Sequence, residues 1–166
     1  MIPSRNIPLF LNLVYGGYNR ALPGKHGEYG DFQPIFHDDG TVKTTFCNQF
    51  INYVLNGFGY SDMTGMLANE MVAFMSDMKN GWISVADEVA QNHANRGVIV
   101  IAGHAVQQGH GHVNFILPGI LEKSLTWAKA VPKCVNVGKD VFFGKKVSFA
   151  FRADEIPEYF CLAQMV

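Results

Sequence analysis

Ala94-Asn95-Arg96-Gly97-Val98-Ile99-Val100-Ile101-Ala102 divides this chain in two. Before Gly97, apolar residues recur every three or four positions, as the buried stripe of a helix requires. After it comes a continuous, mostly β-branched run, the pattern of a strand buried on both faces. Asn95-Arg96-Gly97 is the helix stop between them. Working downstream, Val113 to Leu117 reads as a second strand, ended by Pro118-Gly119. Lys133 to Val137 reads as a third, ended by Gly138, and Val141–Phe143 and Val147–Phe151 as one or two more around Gly144.

Working upstream, a helix is predicted from Thr45, with Phe46, Phe50, Tyr53, Val54 and Phe58 at helical spacing. Thr44 or Thr45 is its expected N-cap, which places Cys47 in the first turn. A second helix is expected over Thr64–Met78, with a methionine-rich face suited to core packing. A third follows Trp82, with Ser84 as cap and Val85, Val89, Ala90 and Ala94 on its apolar side. Helices precede strands and no βαβ alternation appears. The expected fold class is therefore α+β, N-terminal helices packed on a C-terminal antiparallel sheet.

A chain of 166 residues fits one domain. It is read as an irregular segment over 1–40, a helical part over 41–96 and a sheet part over 97–166. Within the first segment, Ile7–Val14 is apolar but short and contains Pro8 and Asn12, so a buried first element is expected rather than a membrane span. Tyr15 to Gly40 reads as irregular, with Asp38-Asp39-Gly40 a tight turn.

Hydrophobic residues at 48% and charged ones at 16% exclude disorder. Thirteen basic residues against 14 acidic ones leave no electrostatic footprint for nucleic acid. The three cysteines, Cys47, Cys134 and Cys161, are odd in number and widely spaced, which argues against a disulfide framework and fits one reactive thiol.

That thiol is Cys47. A cysteine becomes a nucleophile on ionising, and a helix N-terminus and a nearby imidazole both favour the thiolate. Gly109-His110-Gly111-His112-Val113 supplies the imidazole, with His112 opening an apolar strand and His110 two residues before it. His112 is the preferred base, because it directly precedes the apolar residues. A third polar group is then wanted to orient the ring. Asn136, alone among apolar neighbours on the next strand, is the candidate, and Asp140 beyond Gly138 is its competitor. His104, His110 and His112 form an alternative zinc cluster, but spacings of six and two match no strong metal signature. Trp82 is a candidate sugar platform or a core anchor, and Cys134 and Cys161 read as buried thiols.

The order of a cysteine at a helix start, Gly-His-Val opening a strand and a polar residue on the next strand resembles the CHAP/NlpC-like, papain-fold cysteine hydrolases. Ala68-Asn69-Glu70-Met71, the Trp82…Val85 step and Ala94-Asn95-Arg96-Gly97 extend the resemblance over roughly residues 41 to 151. It implies amidase or endopeptidase action on peptidoglycan stem peptides at the cell wall. Cys47 would be the nucleophile, His112 the base and acid, and Asn136 the orienting group. Apart from the resemblance, Trp82 and His110 are the candidate substrate-binding residues. No metal or organic cofactor is required. A wall peptide is the expected partner, with no nucleic acid and no stable membrane insertion; an inhibitor or immunity protein is not specified by any residue. Acyl transfer on the same fold and a non-catalytic wall-binding domain are the rival expectations.

Overall fold

The computed structural model describes residues 6–22 and 32–165. It has α+β architecture: four helices and a six-stranded antiparallel sheet. The first helix, α1 (Ile7–Asn19), begins at Asn6, whose side chain accepts the Leu9 N–H, and has a proline in its first turn, where the missing donor costs nothing. It runs further than its sequence suggests. Tyr15–Asn19, expected to be irregular, completes the helix, because Gly16-Gly17 lets it press against its neighbour. A Cβ on Gly17 would sit 2.7 Å from the Phe50 ring and 2.9 Å from that of Tyr53. The rest of the expected irregular stretch contains a small hairpin, β1 (Ile35–Phe36) and β2 (Val42–Thr44), turned at Gly40 with φ +80°. The part of that expectation falling on 23–31 lies outside the described residues.

α2 (Cys47–Gly57) buries Phe50, Ile51, Val54 and Leu55. Its N-cap is Phe46, with no side-chain cap bond, and not Thr44 or Thr45. α3 (Ala68–Ser76) is shorter than the Thr64–Met78 pattern; Glu70 Oε2 accepts the Leu67 N–H at 2.7 Å to start it, and a 3₁₀ turn at Met78–Asn80 follows. Trp82–Val85 is strand β3 rather than the start of a helix. α4 (Asp87–Asn95) therefore starts after Ala86, not Ser84, and buries Ala90, Gln91 and Ala94 while Val89 is exposed. It ends as expected at Gly97, where φ +79° favours a residue without a Cβ.

The strands β4 (Val100–His104), β5 (His112–Ile116) and β8 (Lys133–Val137) agree with the apolar runs to within two residues at either end. A minor hairpin, β6 (Glu122–Ser124) and β7 (Lys129–Val131), lies between the last two of these. β9 (Val141–Lys146) continues through Gly144, so Val147–Phe149 is a 3₁₀ turn and not a further strand. β10 (Glu158–Leu162) has no counterpart in the periodicity analysis. It inserts between β3 and β4, giving the order β3-β10-β4-β5-β8-β9. Every pairing is antiparallel.

The core lies where α1 and α2 cover the middle of the sheet. Phe115 of β5 meets Phe10 of α1 and Phe50 of α2 edge to face, at centroid distances of 5.6 and 5.7 Å. Such aromatic pairs add about 0.5–1.5 kcal/mol each beyond the apolar area they bury. This cluster carries the site, because Phe50 is one turn from Cys47 on the same helix and Phe115 three residues from His112 on the same strand. No helix among the described residues is long and apolar enough to cross a membrane.

Candidate active site

Cys47 is the first residue of α2 and is almost fully buried, at 3% exposure. His112 is the first residue of β5, and its imidazole stands beside the Cys47 thiol, so that each group acts on the charge of the other. The other side of the ring is held from β8: His112 Nε2 lies 2.5 Å from Asn136 Oδ1. Asn136 is in turn fixed by donating Nδ2–H to the Asp140 carbonyl oxygen at 2.6 Å. Since the amide group donates to Asp140, its oxygen is the atom that faces the ring, and Nε2 must carry the proton. In the neutral ring Nδ1 is then the nitrogen that keeps a lone pair, as a base requires.

The two ionisable groups support one another. Burial opposes the charge on Cys47. The His112 charge and hydrogen bond, helped by the backbone N–H groups of Val113 and Asn48, outweigh it and hold the thiol below its ordinary value. Burial likewise opposes the charge on His112. The Cys47 thiolate, the Asn136 bond and the more distant Glu155 carboxylate outweigh it and raise the imidazole. Both shifts favour thiolate facing imidazolium. Cys134, by contrast, has only burial acting on it, which drives its thiol far up, and the Cys161 thiol is also raised chiefly by burial.

The pair opens into a groove of about 600 Å³. Lys43, Thr44 and Thr45 line it ahead of α2, Leu67 to Glu70 at the start of α3, and Gly109 to His112 before and at β5. Asn136, Lys139, Asp140 and Phe149 line its other side. No side chain caps α2, so the positive end of the helix is left to the Cys47 thiolate at its first residue.

Each residue singled out in the sequence has a definite place. Cys47, His112 and Asn136 come together. Asp140 lies beside them and contributes its backbone carbonyl to Asn136. His110 is exposed on the groove wall and lies before β5, so it does not share a strand face with His112. Trp82 is the correction. It has no exposed surface, donates its indole N–H to Tyr60 Oη at 2.8 Å and does not line the groove, so it cannot serve as a sugar platform. His104 bonds through Nδ1 with the Ile156 carbonyl at 3.3 Å. Among the described residues no three His, Cys, Asp or Glu side chains are grouped to hold a metal ion.

Two contributors escaped the sequence reading. The Phe151 ring meets His112 edge to face at 5.2 Å, although Phe151 had been expected on a strand. Gly138, read only as a turn, lies so close that a Cβ there would be 2.8 Å from His112 Cε1. Neither left a local signal, since both act through contacts made in the folded chain. No protein-family model and no curated protein sequence matches this chain.

Proposed function

We propose that this protein is a cysteine hydrolase that cleaves an amide bond in bacterial cell-wall peptidoglycan. The observation that carries the reading is the ordered chain Cys47–His112–Asn136. A thiol at an uncapped helix N-terminus, a base in the correct tautomer and a fixed orienting amide are what nucleophilic acyl chemistry needs. The choice of substrate is supported by the resemblance to CHAP/NlpC-like enzymes and by an open groove suited to a branched polymer.

In the proposed reaction, His112 Nδ1 takes the thiol proton. The Cys47 sulfur attacks the amide carbonyl, and the oxyanion is held by the Cys47 N–H at the positive end of α2. The imidazolium gives its proton to the leaving amine, which departs as the C–N bond breaks. Water, deprotonated by His112, then attacks the thioester, releasing the acid and restoring the thiol. No metal or organic cofactor enters this scheme, and the site of action is the cell wall.

The test is digestion of purified peptidoglycan by the wild type and by Cys47→Ala, with fragments identified by mass spectrometry. The reading expects new amine and carboxylate ends from the wild type alone. Intact walls with both proteins, or equal digestion by both, would remove it.

A further inference from the structure

Beyond the three residues of the site, one side chain of α3 is built into the loop that delivers the imidazole. The loop from Ala105 to Gly111 joins β4 to β5 and ends one residue before His112. Asn69 supplies three of its hydrogen bonds. Asn69 Nδ2 donates to the carbonyls of Val106 at 3.1 Å and Gly109 at 3.2 Å, and Asn69 Oδ1 accepts the Val106 N–H at 3.0 Å. Gly111 closes directly over this side chain. Any Cβ at Gly111 would collide with Asn69 Oδ1 and sit 2.6 Å from the His104 carbonyl oxygen.

The same short helix is tied to the nucleophile's side. Asn48, which follows Cys47, donates its side-chain Nδ2–H to the Met66 carbonyl at 2.9 Å, just ahead of α3. A continuous path therefore runs from the first turn of α2, through Met66 and the start of α3, to Asn69, Gly111 and His112. Its far end matters twice, because His112 and the backbone N–H of the next residue, Val113, both favour the Cys47 thiolate.

We propose that Asn69 is a positioning residue that sets the separation of Cys47 and His112, by clamping the loop ahead of β5 to the start of α3. The proposal rests on reading Cys47 and His112 as the reactive pair. A loop freed at Val106 and Gly109 lets Gly111 relax, and the displacement passes through one peptide unit to the ring. Misplacement of a reacting group by an ångström costs on the order of a hundredfold in rate.

The test measures iodoacetamide alkylation of Cys47 against pH in the whole protein, with labelled peptides resolved by mass spectrometry. Asn69→Ala should move the alkylation midpoint up toward that of an ordinary thiol, about 8.5, and slow labelling at neutral pH about tenfold. Asn69→Asp keeps the acceptor but sets a carboxylate oxygen against the Val106 and Gly109 carbonyls, so it should shift the midpoint in the same direction by at least as much. It also serves if the alanine variant does not fold. Asn95→Ala is the control. Asn95 clamps Gly119 beyond the opposite end of β5 with bonds of 3.0 and 2.7 Å, so its loss should leave the midpoint in place. Wild-type midpoints in the Asn69 variants, or an equal shift in Asn95→Ala, would overturn the proposal. Alkylation needs no substrate. An unshifted midpoint therefore counts against the clamp alone, whereas intact cell walls count against the hydrolase reading alone.

Discussion

Asn136 holds His112 with its amide oxygen at 2.5 Å and is itself held through its amide nitrogen by the Asp140 carbonyl at 2.6 Å. The bond to Asp140 uses backbone, not carboxylate. That distinction separates two residues which composition alone leaves as competitors. Asn136→Ala should lower kcat on a stem-peptide amide by about tenfold to a hundredfold, the scale expected for a misoriented base. Asp140→Ala should leave kcat within about twofold, since its carbonyl survives the change. Parallel kinetics on the two variants check this, and a larger loss for Asp140→Ala would reverse the assignment.

The directions of the two pKa shifts set a pH dependence. The Cys47 thiol is held below its ordinary value, so thiolate appears at lower pH than in a free cysteine. His112 is raised, so imidazolium persists to higher pH than in a free histidine. Activity should fall on the acid side as the thiolate of the pair is protonated, and on the alkaline side as the imidazolium loses its proton. Alkylation of Cys47 should begin at lower pH than that of Cys134 or Cys161. His112→Ala should abolish that advantage, and His110→Ala should preserve it. Alkylation profiles of these two variants decide which histidine is the base.

Gly138→Ala places a methyl group 2.8 Å from His112 Cε1 and 3.4 Å from Asn136 Nδ2. The ring must turn or the strand end must shift. Overpacking of this kind costs roughly 1–3 kcal/mol of stability. The loss of kcat/KM should be larger, on the order of a hundredfold. Urea unfolding and steady-state kinetics on the same preparation separate the two effects, and an active Gly138→Ala protein would show that the ring tolerates displacement.

Trp82→Phe removes the indole N–H that Tyr60 Oη accepts, deep in the core. A buried hydroxyl deprived of its partner costs about 1–3 kcal/mol. The midpoint of denaturation should fall by a corresponding amount while KM stays unchanged. A raised KM with unaltered stability would restore the substrate-binding role that the burial of Trp82 contradicts.

Gly17→Ala tests the close packing of α1 on α2. The added Cβ would meet the Phe50 and Tyr53 rings at 2.7 to 2.9 Å, so α1 must back away from α2. A destabilisation of about 1–3 kcal/mol is expected, read from chemical denaturation. A neutral substitution would show that the close approach of the two helices carries no weight.

The strongest periodicities in the sequence became the elements that frame the site. Phe46, Phe50 and Val54 required a helix beginning near Cys47, and the runs at Val98 and Val113 required buried strands, because burying a contiguous or regularly spaced apolar set permits few backbone arrangements. The order of cysteine, histidine and asparagine on those elements was also readable, as was the α+β class. Other elements depended on partners distant in the chain. β10 is only five residues long and becomes a central strand through pairing with β3 and β4, whose residues lie more than fifty positions away. Gly16-Gly17 reads as a helix breaker until the Phe50 and Tyr53 rings occupy the space that a side chain would need. Which nitrogen of His112 faces Asn136, which atom of Asp140 steadies Asn136, and that Asn69 grips the loop before β5 were likewise decided by the tertiary structure. Such relations are distances between side chains brought together by folding, and local sequence records residue type and spacing but not those distances.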